Sequence, residues 1–105
     1  MIVPRALVQP EQFASAVSEA ERMLGSGVVR VRYKLGNDWT GDPAVFFRVL
    51  LSDAASPRDQ LRKVASHVET EIVRQVEPLE QWGVYPYFNY RSQSEQAEMN
   101  EPAWA

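Results

Sequence analysis

The segment of residues 28–51, VVRVRYKLGNDWTGDPAVFFRVLL, constrains the fold of this chain most. In its first part apolar and basic side chains alternate: one face carries Val29, Val31, Tyr33 and Leu35, and the other carries Arg30, Arg32 and Lys34. Such an alternation indicates a half-buried β-strand, because successive side chains of a strand point to opposite faces. The first part therefore predicts a strand with one face in a core.

The last part of the segment, residues 45–51, is apolar on both faces. Val45, Phe47, Val49 and Leu51 share one face, and Phe46, Arg48 and Leu50 share the other. Between the two parts, residues 36–43 are rich in glycine, asparagine, aspartate and proline, which favour tight turns. We expect an antiparallel hairpin whose second strand is partly covered on its second face.

Two amphipathic helices flank this hairpin. The first is predicted to begin at Pro10, which fits a first helical turn, and to end at Gly25. Its apolar stripe consists of Phe13, Ala16, Val17, Ala20, Met23 and Leu24. The second is predicted over residues 57–76, with Ser56 as its capping hydroxyl and Pro78 just beyond its end.

Two further segments have a weaker signal. Residues 84–91, VYPYFNYR, predict a third strand, which Pro86 restricts to an edge or a bulge because proline has no N–H to donate. Residues 1–9 contain two prolines among apolar residues and predict an extended lead-in.

Residues 92–105 form a C-terminal tail. Ser92 and Glu95 match a capping box, which predicts a short helix that ends before Pro102. Trp104 gains nothing from exposure in a free tail, so we expect this tail to dock on its own chain or on a neighbour.

The order helix-strand-strand-helix-strand predicts an α+β fold with two helices on one face of a three-stranded mixed sheet. The right-handed crossover rule makes the third strand parallel to the second, and the simplest arrangement puts the first strand in the centre. This order resembles half of a ferredoxin-like fold, as in the cytoplasmic domain of cation-diffusion transporters. The resemblance is one of topology, so no residue inherits a metal-binding role from it.

Composition narrows the functional classes. A chain of 105 residues suits one domain, residues 1–105, and a net charge of -3 argues against a protein held mainly by phosphate backbones. With no cysteine and only His67, we predict no metal and no cofactor. No apolar run reaches the ~20 residues of a membrane span, and the start lacks a signal-peptide pattern, so we expect a cytoplasmic protein without membrane contact.

The first candidate site is the sheet face away from the helices, here called the open face. On the first two strands it comprises Arg30, Arg32, Lys34, Phe46, Arg48 and Leu50. A sheet covered on one side leaves Phe46 and Leu50 exposed between basic residues. This layout fits the contact of a homodimer, and less well a single-stranded RNA surface, because the chain is acidic and lacks an RNP-like motif.

Residues near the end of the chain extend this candidate surface. Tyr90 and Arg91 end the third strand, and tyrosine and arginine are typical anchors of protein interfaces. Together with Trp104 they complete the predicted binding residues, which are Arg30, Arg32, Phe46, Arg48, Tyr90, Arg91 and Trp104.

The hairpin loop is the alternative site, with Asp38, Trp39 and Asp42 as its residues. Alternating oxygen side chains occur in calcium loops, but the sixth and twelfth positions from Asp38 are Pro43 and Val49 instead of glycine and glutamate. Two nearby acids also occur in general acid-base catalysis. The loop therefore predicts an enzyme or a small-ligand site as an alternative function.

Taken together, these patterns predict a small, self-associating protein-interaction module, with an unidentified protein partner as a further option. No catalytic residue is assigned, because the sequence contains no phosphate loop and no nucleophile with an identifiable base. The loop enzyme and the RNA-binding face are its alternatives.

Overall fold

The computed structural model describes residues 3–105, and a three-stranded mixed sheet lies at its centre. β1 (Val28–Asn37) and β2 (Pro43–Leu51) form an antiparallel hairpin, and β3 (Tyr85–Ser92) lies beside β2 and parallel to it. The predicted α+β class, the hairpin and the mixed sheet are confirmed. The part of the lead-in formed by Met1 and Ile2 lies outside the described residues.

The helices of residues 3–105 are α1 (Arg5–Val8), α2 (Pro10–Arg22), α3 (Arg58–Val76), α4 (Pro78–Trp82) and α5 (Gln93–Met99), with short 3-10 turns at Asp53–Ala55 and Pro102–Trp104. The two predicted amphipathic helices, α2 and α3, contact each other on one face of the sheet, as expected. In this part of the chain, no helix has both the length and the apolar character needed to cross a membrane.

The core lies between α2, α3 and the sheet. It includes Val45, Phe47, Val49 and Leu51 of β2, Phe13, Val17 and Ala20 of α2, and Val68, Ile72 and Val76 of α3. Phe13 meets Tyr33 edge-on with ring centroids 5.1 Å apart, and Phe47 stacks on Phe88 at 5.1 Å. Each large apolar side chain buried in this way contributes about 1.5–3 kcal/mol, so these stripes hold the two layers together.

The strand order is β1-β2-β3, so the prediction of a central first strand is wrong, although β3 is parallel to β2 as predicted. β2 carries apolar side chains on both faces, and even Ala44 and Leu50, opposite Phe47, are buried. A central strand is paired along both edges and covered on both faces, so it takes the most apolar sequence. β1 lies at an edge, where its basic side chains deter unwanted strand pairing.

A β-bulge moves Val29 out of the core. The register between β1 and β2 shifts between Val28 and Arg30, opposite Leu51. Val28 packs against the core, whereas Val29 is 37% exposed. The prediction that Val29 shares the inner face with Val31 is wrong because one extra residue reverses the alternation of side chains.

The two long helices begin or end differently from the predictions. α2 ends at Arg22, three residues before Gly25, and this leaves Met23 exposed. The hydroxyl of Ser56 does not cap α3, because it donates to the main-chain oxygen of Ser52 at 2.6 Å. The Ser56 hydroxyl is therefore bonded to a nearby main-chain oxygen instead of capping α3.

Two short helices were not predicted. α1 follows Pro4 within the segment predicted to be extended. Glu77 adopts a left-handed conformation (φ 50°) that ends α3, and Pro78 then begins α4. Proline lacks only an N–H that is unpaired in a first helical turn anyway, so the residue that stops one helix can open the next.

The tail begins with the predicted capping box. The Ser92 hydroxyl accepts the amide of Glu95 at 3.1 Å, and the Glu95 carboxylate accepts the amide of Ser92 at 3.1 Å. Asp53 holds the same helix end by accepting the amide and the hydroxyl of Ser94. Beyond α5 the tail docks on its own chain, and Trp104 is 8% exposed.

Candidate interaction surface

The open face consists of rows that run across all three strands. The register groups Arg30 with Leu50 and Arg91, Arg32 with Arg48 and Asn89, and Lys34 with Phe46 and Tyr87. These side chains share one face because neighbours in register point the same way. The sheet thus brings together the residues predicted for this face on β1 and β2, and Arg91 of β3 lies on the same face.

The C-terminal turn covers the first of these rows. It contacts β2, and the guanidinium carbon of Arg91 lies 4.4 Å from the ring centroid of Trp104. Nε of Arg32 donates to the main-chain oxygen of Ala105 at 2.8 Å. Leu50 is only 6% exposed as a result, so the prediction that it is exposed is wrong. Trp104 therefore acts as a cover for the open face.

Positive charge remains on the rest of the open face. The Arg91 guanidinium is satisfied by Gln96 and Glu101, each at 2.9 Å. The other basic residues of the face are Arg30, Arg32, Lys34 and Arg48, and none of them takes part in the ion pairs of residues 3–105. The middle rows thus present cations that a partner could neutralise.

An aromatic cluster, formed by Trp39, Phe46 and Tyr87, lies at the loop end of the open face. Phe46 and Tyr87 stack with centroids 5.5 Å apart, and Trp39 meets Tyr87 edge-on at 5.4 Å. Trp39 is nevertheless 81% exposed. Tryptophan, tyrosine and arginine are the residue types that dominate the energetics of protein interfaces.

Asp38 fixes the hairpin loop beside this cluster. Its Oδ1 accepts the amide and the hydroxyl of Thr40 at 2.9 and 2.6 Å and the amide of Asp42 at 3.0 Å, while Oδ2 accepts the Tyr87 hydroxyl at 2.7 Å. The hydroxyls of Thr40 and then Tyr87 lower the pKa of Asp38 to about 2. A carboxyl with this pKa is ionised at neutral pH and is poorly suited to be a general acid or base.

A cavity of about 550 Å³ opens at the same end of the sheet. Asn37 and Gly41 of the hairpin loop line it, but Asp38 and Asp42 do not. The rest of its lining is mainly apolar and includes Val3, Pro4, Leu7, Leu35, Pro43 and Val84. Among residues 3–105, no three acidic or histidine side chains are grouped so that they could hold a metal ion. The cavity therefore adjoins the loop without its two acids, and the alternative enzyme or small-ligand site at the loop stays a prediction.

Tyr90, a predicted binding residue, lies on the helix side of the sheet. Its hydroxyl donates to the Glu69 carboxylate at 2.6 Å and to the main-chain oxygen of Ala65 at 3.1 Å. Burial, and then the bond to Glu69, raise the pKa of Tyr90 above its ordinary value of 10.0. Tyr90 shares the inner face with Phe88 because the two are separated by one residue, so it joins α3 to β3 and is not part of the open face.

Sequence reasoning missed Tyr87 and Asn89 as members of the open face. Their alternation with Phe88 and Tyr90 was visible in the sequence and assigns them to one face of β3. Their position beside Phe46 and Arg48 depends on the register between β2 and β3, which could not be read from either strand alone.

Comparisons with known proteins add no identification. No protein-family model matches the chain, and neither a curated protein nor a solved structure gives a match. The ferredoxin-like resemblance therefore stays a prediction about topology, and the function has to be argued from the open face.

Proposed function

We propose that this chain is a small protein-interaction module that binds another protein through its open face. The observation that carries the proposal is the juxtaposition of four cations without ion pairs and an aromatic cluster whose Trp39 is 81% exposed. Interfaces commonly combine aromatic anchors with arginine and a polar rim. The expected partner surface is acidic around an apolar centre, because it has to neutralise Arg30, Arg32, Lys34 and Arg48.

Single-stranded RNA is the competing ligand, since RNA-binding sheets also combine aromatic and basic side chains. One observation favours a protein. The ionised carboxylate of Asp38 lies against Tyr87 in the aromatic cluster. A base stacked there would bring its own phosphate close to this carboxylate, whereas a protein can place apolar side chains on the cluster and its acidic side chains on the basic rows.

Charge reversal on the open face tests the proposal. The variant Lys34→Glu/Arg48→Glu and a control on exposed α3 positions, Arg62→Glu/Lys63→Glu, change the net charge equally. The two variants and the wild type are immobilised separately and incubated with a nuclease-treated extract of the source cells. The proteins that each one retains are compared by mass spectrometry. We expect at least one protein to be retained by the wild type and the control but lost with the open-face variant. Identical sets for all three would contradict the proposal.

Self-association is a second candidate, favoured by the exposed aromatic cluster. A two-fold contact centred on Trp39 and Phe46 would bury these rings against their copies in a second chain. It would also keep Arg30 and Arg48 at the rim, where like charges repel each other less. The homodimer predicted from the sequence is therefore compatible with the aromatic end of the open face and unfavourable at its basic middle.

The proposal includes a cytoplasmic location. The cysteine-free sequence supports it, because a small domain that needs no disulfide is suited to a reducing compartment.

A further inference from the structure

β1 has a partly free edge. The amide of Val31 points away from β2 and donates to the carboxylate of Glu21 on α2. Because backbone groups of an antiparallel edge strand alternate between the partner and the outside, the amides and carbonyls of Tyr33 and Leu35 also point outwards. Apart from the β1–β2 ladder, no turn, loop or side-chain hydrogen bond within residues 3–105 reaches the amide of either residue. Among these described residues, the edge is closed at Val31 and has no hydrogen-bond partner at Tyr33 and Leu35.

Along this edge, basic side chains lie on only one of the two faces of β1. Arg32 and Lys34 project from β1 onto the open face on either side of Tyr33, and both are exposed. On the opposite face Tyr33 and Leu35 are half-buried and pack against the core. A strand laid along this edge would thus meet cations on one face and apolar side chains on the other.

We propose that β1 binds an extended segment of a partner protein as a fourth strand, and that acidic side chains alternate with apolar ones in this segment. The acidic side chains would lie beside Arg32 and Lys34, and the segment's backbone would bond to Tyr33 and Leu35. Strand addition of this kind obtains affinity from main-chain hydrogen bonds and specificity from alternate side chains. The inference rests on the proposed function and names the partner's chemistry and its mode of binding.

A second copy of this chain is a poor occupant of the same edge. An antiparallel pair of β1 strands would set Arg32 and Lys34 against the same basic residues, and like charges directly opposite one another are destabilising. The other edge of the sheet is less suited to an added strand. On β3, Pro86 has no N–H to donate, and the amide of Ser92 is already bonded to Glu95.

Nuclear magnetic resonance with a defined probe tests the proposal on the full chain. The probe is a short blocked peptide in which glutamate alternates with valine and threonine. Its matched controls have lysine in place of glutamate, or N-methyl groups on the backbone amides that would face β1. We expect saturating acidic peptide to slow hydrogen exchange at the amides of Tyr33 and Leu35 about tenfold or more, and both controls to fail.

Variants separate the charge contribution from the fold. Lys34→Glu should weaken peptide binding about tenfold, whereas Lys63→Glu on α3 should leave it unchanged. Both lysines are solvent-exposed, and preserved chemical shifts in the core verify that each variant is folded.

The remaining outcomes would overturn the inference in distinguishable ways. Shifts confined to Phe46, Arg48 and Tyr87 without protection at Tyr33 would mean that partners bind across the open face, so the proposed function would stand without strand addition. Concentration-dependent protection of the Tyr33 and Leu35 amides in the protein alone would assign the edge to a second copy.

Tighter binding of a mixed single-stranded oligonucleotide than of the peptide would contradict both the strand and the protein-interaction proposal. No binding of the acidic peptide at millimolar concentration would also contradict strand addition, while the extract experiment would still decide the proposed function.

Discussion

Two tyrosine–carboxylate pairs show how the alternation of side chains along β3 separates different roles. The Tyr87 hydroxyl bonds to Asp38 on the open face, and the Tyr90 hydroxyl bonds to Glu69 on the helix side. The two side chains lie on opposite faces because an odd number of steps separates them. The first pair fixes the loop of the candidate surface, whereas the second ties β3 to α3.

We expect Tyr90→Phe to lower the free energy of unfolding by about 2 kcal/mol, because the half-buried carboxylate of Glu69 and the oxygen of Ala65 both lose a donor. Urea denaturation at neutral pH measures the loss. Tyr85→Phe is the matched control, since the Tyr85 side chain is exposed, and it should have almost no effect.

The same pair predicts a dependence on alkaline pH. Because the pKa of Tyr90 is raised in the fold, its stabilising contribution is present below the unfolded value of 10.0 and is lost as the pH rises above it. The stability difference between wild type and Tyr90→Phe should therefore shrink above pH ~10. A difference that stays constant into this range would contradict the raised pKa of Tyr90, which burial and then the bond to Glu69 produce.

The Asp38 carboxyl predicts a dependence of stability on acidic pH. Its pKa of about 2 lies below the ordinary value of 3.8, so its contribution to stability is present above pH 3.8 and is lost as the pH falls towards 2. We expect carbon-detected titration of the carboxyl to show this low pKa, and Tyr87→Phe to raise it. Tyr85→Phe should leave the pKa unchanged. A wild-type pKa near 3.8 would refute the hydrogen-bonded loop.

At the scale of elements, the C-terminal tail performs a task that α2 and α3 cannot. The two helices cover one face of the sheet, but Leu50 of the central strand points to the other face. The turn after α5 covers this residue, and Arg91 and Arg32 hold the turn through Trp104 and Ala105. The tail is therefore a second, smaller layer of the fold and the boundary of the open face.

We expect Trp104→Ala to lower the free energy of unfolding by about 2 kcal/mol, since the indole and Leu50 both become exposed. Urea denaturation measures the change. Met99→Ala, also in the tail but 57% exposed, is the control and should have little effect. An unchanged midpoint for Trp104→Ala would show that the tail is not docked in solution.

At the scale of the whole molecule, the charge of the open face differs from the charge of the rest of the surface. The chain is acidic overall, yet the open face is basic around an exposed aromatic cluster. The rest of the surface therefore carries the excess of acid. This asymmetry favours a partner of opposite charge over a symmetric contact through the basic rows.

The homodimer stays a prediction, which a mass measurement decides. Light scattering coupled to size exclusion, at tens of micromolar protein, should give twice the 12.0 kDa chain mass if the aromatic cluster self-associates and buries about 800 Å² per subunit. Phe46→Glu should then give the monomer, and Met23→Glu, on the exposed end of α2, should not. A monomeric wild type would exclude the dimer, and a dimer that survives Phe46→Glu would place the contact elsewhere.

The sequence by itself determined the elements that depend on local patterns. The period-two alternation of Arg30, Arg32 and Lys34 predicted β1, the helical stripes predicted α2 and α3, and Ser92 with Glu95 predicted the start of α5. These signals are local because they follow from backbone geometry over a few residues. The same patterns were sufficient to assign the basic members of the open face.

Only the tertiary structure decided which strand is central, where the bulge lies and what covers Leu50. β2 is the central strand and is covered on both faces. Part of this cover is Trp104, which lies more than fifty positions after Leu50 in the chain. Likewise, Tyr87 reaches Asp38 and Phe46 only through the register of two strands joined by a long helix. Burial and register depend on contacts between distant segments, so a pattern read along the chain predicts the faces of each element but not which faces meet.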